Sequence, residues 1–185
     1  MVPVSFFLNS RFSRMESTME AALSTLIAKQ AITELNARYC RALDWLDQAA
    51  LEAVFWPDAR IDYGFFVGNA SEFVKTVIAM EQGAARRWHT CHNLLITIKG
   101  ERAQAESYGI SHGFTERANP VDRYYGGRYL DEYQQREGEW RISRREYVLD
   151  WVHESSLPFE RFITGNRGMN HHTIRQPGHP KYRLL

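Results

Sequence analysis

Trp88-His89-Thr90-Cys91-His92-Asn93-Leu94-Leu95-Ile96-Thr97-Ile98-Lys99, then Gly100-Glu101 and Arg102-Ala103-Gln104-Ala105-Glu106-Ser107, is where the hydrophobic pattern of this chain changes period. Upstream of Arg87, apolar residues recur at the spacing of a helix. From Trp88 onward polar and apolar residues alternate, as in a strand whose successive side chains face opposite ways. Four long strands are predicted: Trp88–Lys99, Arg102–Glu116, Tyr124–Gln135 and Glu139–Val152. Turn residues separate them at Lys99-Gly100-Glu101, Asn119-Pro120 and Glu137-Gly138.

Back from that switch, Ser17-Thr18-Met19-Glu20 has the form of a capping box. Leu23, Leu26, Ile27, Ala31, Ile32, Leu35, Tyr39 and Leu43 follow at helical spacing. A long amphipathic helix, open to a break near Lys29, is expected from Ser17 to Asp44, and a short one from Gln48 to Phe55, stopped by Pro57. A strand over Asp58–Phe65 and a third helix from Ala70 to Arg86 come next. Helices first and antiparallel strands after is the α+β order, and three amphipathic helices suffice to cover one face of a curved sheet. Residues 1–16 are set aside as a flexible leader, too short and too poor in basic residues for a signal peptide. Residues 17–152 are read as the domain. Residues 153–185 lose periodicity and gain Pro158, Pro177 and Pro180, which predicts an extended tail serving as a lid or a subunit contact.

Length and composition bound the possibilities. At 185 residues the chain is one domain's worth and buries roughly 70% of its unfolded surface, so it needs no metal or disulfide to fold. With 44% hydrophobic and 24% charged residues it is neither disordered nor low-complexity. A net charge of +1 leaves no phosphate-binding footprint, so no nucleic-acid partner is expected. No apolar run approaches the roughly 18–20 residues of a membrane span. The two cysteines, Cys40 and Cys91, read as reduced thiols of a cytoplasmic protein.

Familiar catalytic signatures are missing: there is no Gly-x-Gly-x-x-Gly, no P-loop, no Gly-x-Ser-x-Gly and no His-Glu-x-x-His. His89 and His92 stand three apart on a predicted strand and so face opposite ways, and no metal site is expected. What remains is a scatter of polar groups: Tyr39 and Asp44 near the end of the first helix, Tyr63 on the first strand, His89, Cys91 and Asn93 on the next, and His112 on the one after. Asp44 lies between Leu43 and Trp45, an apolar setting that demands a partner. A histidine would serve, because a carboxylate fixes its tautomer and stabilises the imidazolium. Such a dyad is a general-base device, and tyrosine hydroxyls beside it could hold a developing oxyanion. The residues alone do not say which histidine it is.

Ala31-Ile32-Thr33-Glu34-Leu35-Asn36-Ala37-Arg38-Tyr39-Cys40-Arg41-Ala42-Leu43-Asp44, followed by Phe55-Trp56-Pro57-Asp58-Ala59-Arg60-Ile61-Asp62-Tyr63, resembles the opening of the SnoaL-like branch of the NTF2-like superfamily. His89-Thr90-Cys91-His92-Asn93 looks like that branch's His-x-x-x-Asn strand, and Trp140-Arg141-Ile142-Ser143-Arg144-Arg145 with Asp150-Trp151 is similar to its closing strand. The resemblance implies a cone-shaped α+β barrel, a curved, mostly antiparallel sheet around helices with an open pocket. It implies a catalytic dyad of Asp44 and His89 working without metal or organic cofactor, with Tyr39 and Tyr63 as catalytic tyrosines in the same pocket. His112 falls where one relative has a second histidine and another an aspartate, and with Asn93 and Cys91 it is carried as a substrate-binding candidate. The family's dehydrochlorinase has an arginine near the end of its last strand, where this chain is read to carry Asp150, which argues against dehalogenation.

The function so implied is a lyase, by dehydration or a related elimination or retro-aldol cleavage, acting on a hydrophobic oxygenated cyclic or aromatic molecule. A homo-oligomer, dimer or trimer, is expected by the same resemblance. Three other roles stay open: an isomerase like the ketosteroid isomerases, a partner subunit like the small chain of ring-hydroxylating dioxygenases, and a small-molecule carrier. Fold resemblance alone does not separate them.

Overall fold

In a computed structural model, the structure describes residues 4–115, 121–156 and 177–183, with side chains from residue 14 onward. Three helices, α1 (Val4–Trp45), α2 (Gln48–Val54) and α3 (Ala70–Gln82), accompany six strands. These are β1 (Phe55–Asp62), β2 (Val67–Asn69), β3 (Arg86–Lys99), β4 (Arg102–Thr115), β5 (Val121–Arg136) and β6 (Glu139–Ser155). The sheet order is β2-β1-β6-β5-β4-β3, antiparallel throughout except for the parallel pairing of β1 with β6. The α+β class and the curved, mostly antiparallel sheet packed on three helices are as expected. The sheet is open, with β2 and β3 as its edges.

The helix expected from Ser17 runs unbroken from Val4 to Trp45, through the segment read as a leader and past Lys29. Ser17 caps nothing: its hydroxyl donates back to the Arg14 carbonyl, as hydroxyls inside a helix do. Ala28, Ile32, Leu35, Tyr39, Cys40, Ala42 and Leu43 are buried, whereas Leu23, Leu26 and Ile27, one stretch upstream, are exposed. The apolar stripe therefore outruns the surface that covers it. At the other end Leu46 takes φ +53, the Leu46 N–H donates to Leu43 O, and the Asp47 N–H donates to Ala42 O. This paired closure satisfies the Ala42 and Leu43 carbonyls at the end of the helix. The Asp47 carboxylate then caps α2 by accepting from the Ala50 N–H.

The first strand begins at Phe55, three residues before the expected Asp58, so α2 stops before Pro57 meets it and the proline lies within β1. Proline cannot donate to a ladder, and the β1–β6 register is irregular between Phe55 and Arg60. The strand expected to reach Phe65 instead turns at Tyr63-Gly64, where Gly64 has φ +73 and its N–H is accepted by the Asp62 carboxylate. The short β2, absent from the sequence reading, follows. Asn69 caps α3, which ends at Gln82 rather than Arg86 because Arg86 already belongs to β3.

The expected turn at Asn119-Pro120 and most of the tail, including Pro158, His171 and His172, lie outside the described residues. The final described segment returns to α1. The Tyr182 hydroxyl donates to the Asp47 carboxylate, its ring lies 5.4 Å from that of Trp45, and the Arg41 guanidinium stacks on it at 4.5 Å. No described helix is long and apolar enough to cross a membrane.

Candidate active site

The inner face of the sheet is built by alternation, interrupted by bulges. On β3, Arg87, His89 and Cys91 face inward, then Leu94, Ile96 and Ile98. The change of parity comes from one extra residue between His92 and Leu95, where Asn93 takes φ +51. Asparagine tolerates that left-handed backbone, and a one-residue bulge turns every side chain beyond it to the other face. Asn93 itself is exposed, so the expectation that it lines the pocket is corrected.

Asp44, on the last turn of α1, meets His89 at 2.9 Å between Oδ1 and Nδ1, with only 14% and 7% of the two side chains exposed. A carboxylate at the negative end of a helix dipole is unfavourable by itself, and a cation beside it relieves that cost. The Nδ1 bond turns Nε2 toward the last turn of α3, where Glu81 Oε1 lies 3.6 Å away. Burial works to lower the pKa of His89, but the Asp44 and Glu81 carboxylates outweigh it and raise it to about 9. At neutral pH the resting side chain is therefore an imidazolium.

The raised pKa also makes stability depend on pH. His89 holds its proton more tightly folded, at about 9, than at its ordinary 6.5. Its contribution is complete below pH 6.5 and is lost as pH rises through 9, amounting to about 3 kcal/mol at most. Urea denaturation should show wild type losing stability between pH 6.5 and 9.5 relative to His89→Gln; parallel curves would contradict the raised value.

Deeper in the cone the Tyr39 and Tyr63 hydroxyls lie 2.7 Å apart. Tyr63 stacks on Phe73 at 4.8 Å and on Tyr147 at 5.1 Å, so the ring is locked. Burial raises the pKa of both phenols, which therefore stay protonated; one hydroxyl donates to the other, and the accepting one keeps its proton for a further partner. Beneath them Arg145, fully buried on β6, stacks on Tyr39 at 4.2 Å and Tyr129 at 4.3 Å. It donates twice to Asp131, at 2.8 and 2.7 Å. Asp131 also accepts the Tyr133 hydroxyl at 2.9 Å, and Asn36 donates to that hydroxyl at 2.9 Å. Cys91 continues the chain to Asn36 at 3.4 Å and to Ser107 at 3.0 Å. Contact with Cys40, then Ser107, holds the Cys91 thiol below its usual pKa against the effect of burial.

Of the candidates, Asp44, His89, Tyr39, Tyr63 and Cys91 share this interior. His112 does not. It pairs with Trp88 on β3 and Tyr124 on β5, while His89 pairs with Ser111, so His112 lies on the opposite face of the sheet. There it is buried and bonded to Asp122, with Tyr124 stacked at 4.5 Å. Its place as a substrate-binding candidate beside His89 is corrected by the pleat.

Asp150 is also displaced. It is the unpaired residue of a β6 bulge and bonds Arg128 on the exposed face at 3.1 and 3.0 Å, whereas the inward arginine of β6 is Arg145. The argument against dehalogenation that rested on Asp150 therefore lapses. Glu81, Tyr129, Asp131, Arg145 and Tyr147 are the site residues that the sequence did not single out. For Arg145, the run Arg144-Arg145 within an alternating strand was the available signal, since one of the two must face inward. Among the described residues no group of three or more His, Cys, Asp or Glu could hold a metal ion.

The sequence model of the SnoaL-like domain matches residues 24–146. The chain belongs to the SnoaL-like family. The match spans α1 from its exposed stretch to β6 just past Arg145, and so takes in the site just described except Tyr147. None of the curated proteins matches this SnoaL-like chain in sequence. Among solved structures it is similar to a candidate scytalone dehydratase from Novosphingobium aromaticivorans DSM 12444, with TM-score 0.67 and 18% identity over 86% of this chain and 99% of that one. It is similar to a hexachlorocyclohexane dehydrochlorinase of type 2, with TM-score 0.65 and 18% identity over 72% and 93%. An NTF2-like superfamily protein from Salmonella enterica serovar Typhimurium LT2 matches with TM-score 0.62 and 21% identity over 68% and 92%. At these identities the likeness shows the fold: NTF2-like, with dehydratases and dehydrochlorinases among the neighbours.

Proposed function

We propose that this SnoaL-like protein is a lyase that eliminates water, or cleaves a carbon–carbon bond by a retro-aldol step, from a hydrophobic oxygenated cyclic or aromatic molecule, using no metal or organic cofactor. The observation that carries the proposal is the 2.9 Å bond between Asp44 and His89, which orients one imidazole nitrogen and leaves the other for a reactant. In a dehydration, neutral His89 takes the proton from carbon beside a carbonyl or aryl group at Nε2. The electron pair of that C–H bond becomes the double bond, and the C–O bond breaks as the departing hydroxyl takes a proton from the imidazolium just formed. The Tyr39–Tyr63 pair, held protonated, donates one hydrogen bond to the oxygen on which charge builds, from the hydroxyl that accepts from the other. Tyr63, Phe73, Tyr129 and Tyr147, packed on one another, make the surroundings of the tyrosine pair aromatic, in keeping with an apolar ring as substrate. A homo-oligomer belongs to the same proposal by resemblance.

The test is a mass-spectrometric screen without added cofactor, on hydroxylated aromatics, hydroxy-steroids and diaryl alcohols, with His89→Ala in parallel. Loss of water or formaldehyde with wild type alone is the expected result. A product of unchanged mass but altered retention would replace the lyase by an isomerase. Tight binding with the compound returned intact would replace it by a carrier.

A further inference from the structure

Glu81 is held in place before it meets His89. Arg87, two residues before His89 on the same inward face, donates from Nε and Nη2 to the Glu81 carbonyl at 3.0 and 2.8 Å, and to the Ala84 carbonyl. Arg87 is itself buried, and its Nε also lies 3.6 Å from Glu81 Oε2. One carboxylate oxygen is thus turned to Arg87 and the other to Nε2 of His89 at 3.6 Å. Nε2 is the nitrogen that the Asp44 bond leaves for a reactant, so a carboxylate occupies the side from which substrate must come. The contact is longer than a hydrogen bond, and the Glu81 side chain keeps 21% exposure, which gives it room to withdraw.

We propose that Glu81 is a positioning residue that closes over Nε2 of His89 and must be displaced by substrate before proton transfer begins. The proposal rests on the lyase reading for its kinetic consequence and on geometry alone for its contact. The charged and titratable groups facing His89 are Asp44 from α1, Glu81 from α3 and, through Glu81, Arg87 on β3; the β4 residue paired with it is Ser111. Withdrawal of Glu81 removes one of the two carboxylates that favour the imidazolium, so opening releases the base form as well as the space. Substrate binding and activation of His89 become one event.

Three proteins, wild type, Glu81→Gln and Glu81→Asp, decide it. Glutamine keeps the shape and removes the charge; aspartate keeps the charge on a shorter stem. Imidazole NMR titration of His89, which needs no substrate, should give a midpoint near 9 in wild type, more than one pH unit lower in Glu81→Gln, and closer to wild type in Glu81→Asp. The rising limb of kcat/KM should move with the midpoint, so that at pH 7 Glu81→Gln gains about tenfold in rate for each pH unit by which its midpoint falls. Equal titration midpoints in wild type and Glu81→Gln would overturn the proposal. A lowered midpoint together with no compound turned over would keep the Glu81 contact and defeat the lyase reading instead.

Discussion

Asp131→Ala should lose about 3–5 kcal/mol of folding stability, because it strands the fully buried Arg145 guanidinium. Arg145 has given up all contact with water and receives in return the two bonds to Asp131 and the faces of Tyr39 and Tyr129. Stacking on rings does not replace the missing carboxylate. The same substitution frees the Tyr133 hydroxyl and loosens its link to Asn36. For a domain stable by about 5–15 kcal/mol, such a loss leaves a marginal protein. The double variant Asp131→Ala/Arg145→Met should recover much of the loss, since it removes the charge and keeps an apolar stem between the two rings. Chemical denaturation of wild type, single and double variants checks this; a single variant within about 1 kcal/mol of wild type would show that water reaches the pair.

Asp44→Asn should reduce turnover about 10²–10⁴-fold while the protein stays folded. Asparagine preserves the shape, and its amide can still meet Nδ1, but it offers His89 no negative charge. Two effects then oppose each other. The imidazole loses a group that raised its pKa, so more of it is neutral at pH 7; the imidazolium formed in the transition state also loses its stabiliser. At pH 7 only about 1% of wild-type His89 is the free base, from its value of about 9. A general base of that kind gives kcat/KM that climbs about tenfold per pH unit and levels off near pH 9. The variant should level off at lower pH and at a much lower plateau. A plateau equal to that of wild type would mean that Asp44 only raises the pKa and does no more.

Much of the architecture was legible because it rests on period. The switch at Arg87 located all four long strands to within a few residues, and the apolar spacing of α1 located the helix that carries Tyr39 and Asp44. What escaped was a matter of single residues. The Lys99–Arg102 turn, continued without interruption, would pair His89 directly with His112. The extra residue at Asn93 shifts β3 by one, turns His89 into the cone and leaves His112 outside. On β6 Asp150 stands five residues from the inward Arg145, so alternation alone turns it to the outer face, where a bulge leaves it unpaired. Bulges are set by local backbone energies of about the size of one hydrogen bond, which hydrophobic alternation does not register. Glu81 escaped for another reason. It reaches His89 from the end of α3, and only the packing of helix on sheet brings the two together.

Turnover of the compound found in the substrate screen, compared between His89→Gln and His112→Gln, tests most directly the claim that chemistry belongs to the inner dyad. Both histidines are buried and both bond an aspartate, so the two variants carry similar structural costs and differ in the face of the sheet they disturb. Loss of about 10²-fold or more in His89→Gln, with His112→Gln within about tenfold of wild type per folded molecule, is the predicted result. The reverse order would place the reacting groups on the outer face and contradict the site described above.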